Sequence, residues 1–168
     1  MALGRIYTVD GGILAVAAAG PTTVMAVTPA ATNPIDIQAI RFAVLGASAF
    51  PSNASVNVIL ARASSGFTSG GSTITANPHN AGDVAANSVW KNCQSTAAGG
   101  TFAAIVGYTQ GVTLWEQAIP FTAGSNWAEW VTPGSEWRVA AGGFAAVYLT
   151  QSSAGTATSF SCELVFAE

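Results

Sequence analysis

Charge is what this chain has least of. Asp, Glu, Lys and Arg make up 8% of its 168 residues, against about a quarter in an ordinary soluble domain. The five basic residues, Arg5, Arg41, Arg62, Lys91 and Arg138, stand singly along the chain. Neutralising a run of phosphates needs a basic patch, and none is visible in the sequence, so no nucleic-acid partner is expected. One histidine, His79, and two cysteines, Cys93 and Cys162, leave neither a zinc-binding spacing nor a disulfide scaffold. The two thiols are expected to be buried and unpaired. Long apolar runs are missing too. Residues 13–19 (ILAVAAA) and 42–45 fall far short of the roughly 18 that a membrane-spanning helix needs, so no membrane partner is expected. Asp10, Gly11 and Gly12 also interrupt the apolar stretch that a secretory signal would require.

The same scarcity bears on catalysis. His79 sits in the loop ANPHNAGD with Asp83 nearby, yet no G-x-S-x-G elbow accompanies them, and the residue reads as a solvated turn histidine. Lys91, the only lysine, follows no G-x-x-x-x-G run, so no phosphate loop exists. The VDGG stretch at residues 9–12 is above all a turn signal. Glu116, Glu129, Glu136 and Glu163 could supply a carboxylate pair for glycoside hydrolysis. They lie mostly at polar strand positions, where acids solvate a surface. The expectation is a protein without catalysis, without cofactors and without metal. Asn53-Ala54-Ser55 has the glycosylation pattern, a triplet that chance produces often.

What is abundant is small and apolar. Half the residues are hydrophobic, alanine occurs 33 times, and mean hydropathy is +0.43. The surface must therefore be built largely of Ala, Gly, Ser, Thr and Asn, with a net charge of only -3 to keep molecules apart. Such a surface suits a protein that is covered by neighbours.

Apolar residues at helical spacing are nearly absent, while period-two alternation recurs. At the C-terminus Phe160, Cys162, Leu164 and Phe166 share one face, with Ser159, Ser161 and Glu163 on the other. In IDIQAIRFAVL the apolar phase runs Ile35, Ile37, Ala39 and then switches to Ile40, Phe42, Val44, which is what a β-bulge does. Further strands are expected at residues 4–9, 22–28, 55–62, 112–119, 126–131, 136–141 and 144–151. Turn clusters separate them. The expected fold is all-β: an antiparallel β-sandwich or jelly roll of about eight strands. Residues 64–100 form a long irregular middle loop region, with a short helical turn near residues 83–89. Residues 1–9 are an N-terminal arm or first strand, and residues 10–168 a single β-sandwich domain.

Three tryptophans, Trp127, Trp130 and Trp137, crowd into SNWAEWVTPGSEWRVAAGG. Thr132-Pro133-Gly134-Ser135 carries Pro and Gly where a type II turn prefers them. A hairpin about that turn would set Trp130 opposite Trp137 and Glu129 opposite Arg138, both favourable cross-strand pairs. Trp130 and Trp137 are then expected in the core. Trp127, three residues from Trp130, takes the opposite face and is left to core or interface.

The segments GRIYTV, IDIQAIRFAVLG, SVNVILARASSGFTSGGSTIT and LWEQAIPF…WVTPGSEWRVAAG resemble small virion proteins of tailed bacteriophages. The matching pieces are Val56, Val58, Leu60 and Arg62, then residues 66–73, Pro133-Gly134, and residues 160–168. The chain is similar to capsid decoration (cement) proteins. That resemblance implies a jelly-roll subunit, commonly a homotrimer, on the outer capsid surface of a virion assembled in the host bacterial cytoplasm. Its implied partners are copies of itself and the major capsid protein, whose subunits it bridges and stabilises. The tryptophan enrichment and irregular residues 84–100 depart from the pattern. The alternative is a carbohydrate- or receptor-binding β-sandwich module, as in a head fibre or tail protein. Candidate interface residues are Arg5, Tyr7 and Trp127.

Overall fold

The structure, a computed structural model, describes residues 4–16, 20–47, 55–97, 99–120, 124–151 and 158–168. Among them there is no helix, only strands and their connections. In chain order these are β1 (Ile6–Val16), β2 (Gly20–Thr28), β3 (Ile35–Ala47), β4 (Ser55–Ala63), β5 (Ser72–Ile74), β6 (Ala76–Pro78), β7 (Val89–Asn92), β8 (Gln94–Thr96), β9 (Gly99–Phe102), β10 (Gln110–Pro120), β11 (Asn126–Trp130), β12 (Trp137–Val139), β13 (Ala145–Gln151) and β14 (Thr158–Ala167).

Two six-stranded antiparallel sheets face each other as a β-sandwich. The first runs β11-β3-β14-β1-β6, with β12 also paired to β3; the second runs β10-β4-β13-β2-β7-β5. The pairing of the long strands is nested. β1 pairs with β14, β2 with β13, β3 with β11 and β12, and β4 with β10. The chain is thus a long antiparallel ribbon folded over so that successive strands alternate between sheets. Strands β5 to β9 are inserted at its inner end, between β4 and β10.

Alternation sets the inner faces. Phe160, Cys162, Leu164 and Phe166 on β14 are all buried to within 1%, while Ser159, Ser161 and Glu163 are half-buried. Phe42 meets Phe160 at 5.3 Å, and Trp90 of the second sheet meets Phe166 of the first at 4.9 Å. One apolar cluster contains residues from both sheets. A polar tie crosses it. The buried Asn92 amide donates to the carbonyls of Gly11 (2.9 Å) and Ala97 (3.2 Å), so its burial leaves no orphaned donor.

Two of the bulges in the first sheet bear on the sequence reading. In β3 the register passes from Val165↔Ala39 to Phe166↔Ile37, leaving Gln38 as the extra residue. This is the phase change expected from IDIQAIRFAVL, displaced by one residue, and it lets Ile37, Ala39 and Ile40 all be buried. In β1 the irregularity falls between Asp10 and Ile13. There the VDGG stretch makes a bulge inside a strand rather than a turn. The Gly12 N–H donates to Asp10 Oδ1 at 2.8 Å, and Gly12 takes φ 70°.

The middle of the chain is more regular than its composition suggests. β7 joins the second sheet through β2 and buries Trp90. No helical turn forms at residues 83–89. Glu168 takes up that segment instead, its carboxylate accepting from the N–H groups of Asn87 (3.0 Å) and Ser88 (3.3 Å). Those donors are tied to the far end of the chain, so the segment has no need of helical partners.

Candidate functional site

The three residues singled out for an interface separate in the fold. Arg5 lies on the surface with Nε 3.6 Å from Asp83 Oδ1, and its backbone pairs with Glu168. Tyr7 is a correction: it is only 2% exposed. On β1, Tyr7 and Val9 point inward, and β1 is an interior strand flanked by β14 and β6. The Tyr7 ring stacks on Phe166 at 5.3 Å, and its hydroxyl donates to the Val84 carbonyl. Trp127 is 40% exposed at the sheet edge.

The hairpin expected between Trp130 and Trp137 does not form. β11 and β12 both run antiparallel to β3 and in the same direction, Trp130 opposite Ala39 and Trp137 opposite Ile37. They are two halves of one edge strand. Residues 131–136 loop out between them across from the Gln38 bulge, whose carbonyl accepts from Val131 N–H at 2.9 Å. The Pro-Gly turn itself is present, since Ser135 N–H donates to Thr132 O at 2.9 Å and Gly134 takes φ 93°. It folds an excursion within a strand. Arg138 consequently meets not Glu129 but Asp36, in a two-pronged contact of 2.8 and 2.7 Å. Its carbonyl also accepts from the Arg62 guanidinium at 2.9 and 3.1 Å.

This rearrangement reassigns the indoles. Trp137, half-buried on the inner side, packs near Trp115 of β10 at 6.4 Å. Trp130, expected in the core, is instead 55% exposed. Its ring lies on the outer face of the first sheet, 5.1 Å from the Arg41 guanidinium, and Arg41 in turn holds Glu163 at 2.6 Å. Trp127 and Trp130 do take opposite faces, but reversed: Trp127 is paired with the inward Phe42. Both indoles therefore hang from one five-residue edge strand, one to each side. Trp130 was legible only to a reading that placed the excursion opposite the bulge.

Next to them the outer face hollows. Small side chains at Ala43, Ala128 and Ser161 lie in adjoining positions on three strands, among Asp10, Arg41, Asn126 and Glu163, and leave an open depression of about 320 Å³. Its charged groups are engaged with one another or with backbone: Asp10 with Gly12 N–H, Arg41 with Glu163. Among the described residues no group of His, Cys, Asp and Glu could hold a metal ion. His79 is exposed and bonded to Thr8 Oγ1. Cys93 and Cys162 are buried and unpaired; burial pushes the Cys93 thiol up to about 11 and Cys162 up as well. Asn53, the acceptor position of the glycosylation triplet, lies outside the described residues.

The two edges on the tryptophan side of the sandwich differ. β10 has two bulges, ends in Pro120, and covers its own Ala118 carbonyl with the Gln117 side-chain amide at 2.9 Å. These are the devices that blunt a strand edge. β11 has no lysine and no proline, and its single bulge, where Gly124 (φ 84°) and Ser125 both bond to Val44, lies just before Asn126, leaving Asn126–Trp130 in regular register with β3. Comparison of the chain with protein-family models, with curated proteins and with solved structures returns no match.

Proposed function

We propose that this chain is a virion structural protein. It decorates the outer surface of a phage capsid and stabilises it by bridging major capsid protein subunits. The observation that carries the reading is β11: an edge strand with two half-exposed tryptophans and a single charge, in a chain with 8% charged residues. An indole left half in water is an interface residue waiting for its partner, since Trp is among the side chains enriched where proteins meet. The nested strand pairing supports reading the sandwich as a jelly roll, the architecture the sequence resemblance implies.

A sugar-binding reading needs aromatic rings coplanar on one exposed face. Trp127 and Trp130 leave opposite faces of their strand, so the geometry favours protein contact over a stacked saccharide. The test is uptake of purified protein by capsids lacking it, read by co-sedimentation. Saturable binding at a fixed ratio to the major capsid protein, with raised resistance of the shell to heat, is the expected result. Particles that bind none, or bind without limit, overturn it.

A further inference from the structure

β11 leaves backbone groups open in a definite pattern. Val44 N–H donates to Ser125 O at 2.8 Å and Val131 N–H to Gln38 O at 2.9 Å. Antiparallel bonding alternates residue by residue. Positions 125, 127, 129 and 131 therefore bond to β3, and Asn126, Ala128 and Trp130 turn their N–H and C=O groups away from it. No other strand of the described residues pairs with that side. A short, nearly neutral edge with three residues' ladder groups unspent is a template for strand addition.

We propose that β11 pairs antiparallel with β11 of a second copy about a two-fold axis at Ala128, joining two first sheets into one. The strand is complementary to itself in this register. Ala128 faces Ala128 across the axis, where the methyl groups allow close backbone approach. Asn126 faces Trp130 of the other copy on each side, and three residue pairs exchange bonds. The one charge of the strand, Glu129, faces Trp127 of the other copy. A slip of two residues one way sets Glu129 against Glu129, and like charges directly opposite are unfavourable. A slip the other way shortens the overlap. A lone inward-side charge is a device against indiscriminate edge pairing; here it selects a single register.

Trp127 and Trp130, 40% and 55% exposed, are covered by the same event, one on each face of the joined sheet. They supply only part of the roughly 800 Å² per partner of a standard interface, so the association is reversible on dilution. Being isologous, it is two-fold, in place of the threefold association that the resemblance implies.

The test is the mass of the full chain by sedimentation across a dilution series, and it needs no virus particle. Failure here is therefore separable from failure of capsid binding. A dimer is expected, weakened about tenfold or more by Trp130→Ala. Ala128→Lys and Ala128→Glu, at an exposed position, should each keep the native circular dichroism and sediment as monomers, because like charges meet at the axis. Mixing them in equal amounts should restore a dimer containing one of each, seen by isotope labelling of one variant. A wild-type monomer or trimer at every concentration, a dimer that survives Ala128→Lys, or a mixture that stays monomeric overturns the proposal.

Discussion

Trp90 shows how much one side chain carries. Its indole is 1% exposed, lies 4.9 Å from Phe166 across the sandwich, and donates Nε1–H to Ser88 Oγ at 3.2 Å. Trp90→Ala removes that bridge and strands a cavity between the sheets. It should cost about 3–5 kcal/mol, read as a lowered urea midpoint with an unchanged slope. Cys93 makes a pH prediction. Its thiol ionises near 9.0 when free but only at about 11 in the fold, because burial disfavours the thiolate. The folded state holds this proton more tightly than the unfolded chain. The contribution is complete below pH 9, falls as pH rises toward 11, and is lost beyond, amounting to roughly 2–3 kcal/mol. Urea midpoints at about pH 8 and about pH 10.5 should diverge more for the wild type than for Cys93→Ala. Tyr148, pushed up to about 12 by burial and the neighbouring Tyr108, keeps some slope in both proteins. At this scale the sequence was legible where a face is read two by two, as along Phe160, Cys162, Leu164 and Phe166. It was not legible at Tyr7, whose burial depends on distant segments, Phe166 stacked on its ring and Val84 accepting from its hydroxyl.

Among the elements, the strand halves β11 and β12 carry the main lesson. Pro133-Gly134 encodes a turn correctly, but a local turn does not say whether the strands beside it pair with each other or with a third. β3 decides that here, because its Gln38 bulge shifts the register by one residue just where the excursion of residues 131–136 leaves the sheet. The faces of Trp130 and Trp137 follow from this long-range match, which no short window contains. Gly134 has φ 93° with open space about its Cβ position, so Gly134→Ala should cost only the backbone strain of about 1–2 kcal/mol. Gly11 is the opposite case. A Cβ there would lie 2.8 Å from Met25 Sδ and 3.1 Å from the Cys162 carbonyl. Gly11→Ala should push β1 from β2 and cost about 1–3 kcal/mol, with Met25→Ala recovering part of the loss in the double variant. Thermal unfolding of the two glycine variants side by side checks the contrast.

The whole molecule combines a conventional interior with an unusual exterior. Alternating strands, turn clusters and absent helical periodicity were enough to read an all-β sandwich, since those signals are local. The order of strands in the two sheets was not in any local signal; it follows from the nested pairing of distant segments. The exterior was legible as composition, a surface with few charges, but composition does not say where such a surface meets its neighbour. We propose that this meeting falls at the β11 edge, beside the tryptophans and Ala128, and that this edge belongs to an assembly on a virus shell. Imaging of the source phage particle at a resolution that separates strands tests it most directly. This sandwich is expected on the outer capsid surface at joints between major capsid protein subunits, with Trp127 and Trp130 covered by a neighbouring chain. A particle that lacks the protein, or carries it with both indoles open to solvent, would contradict it.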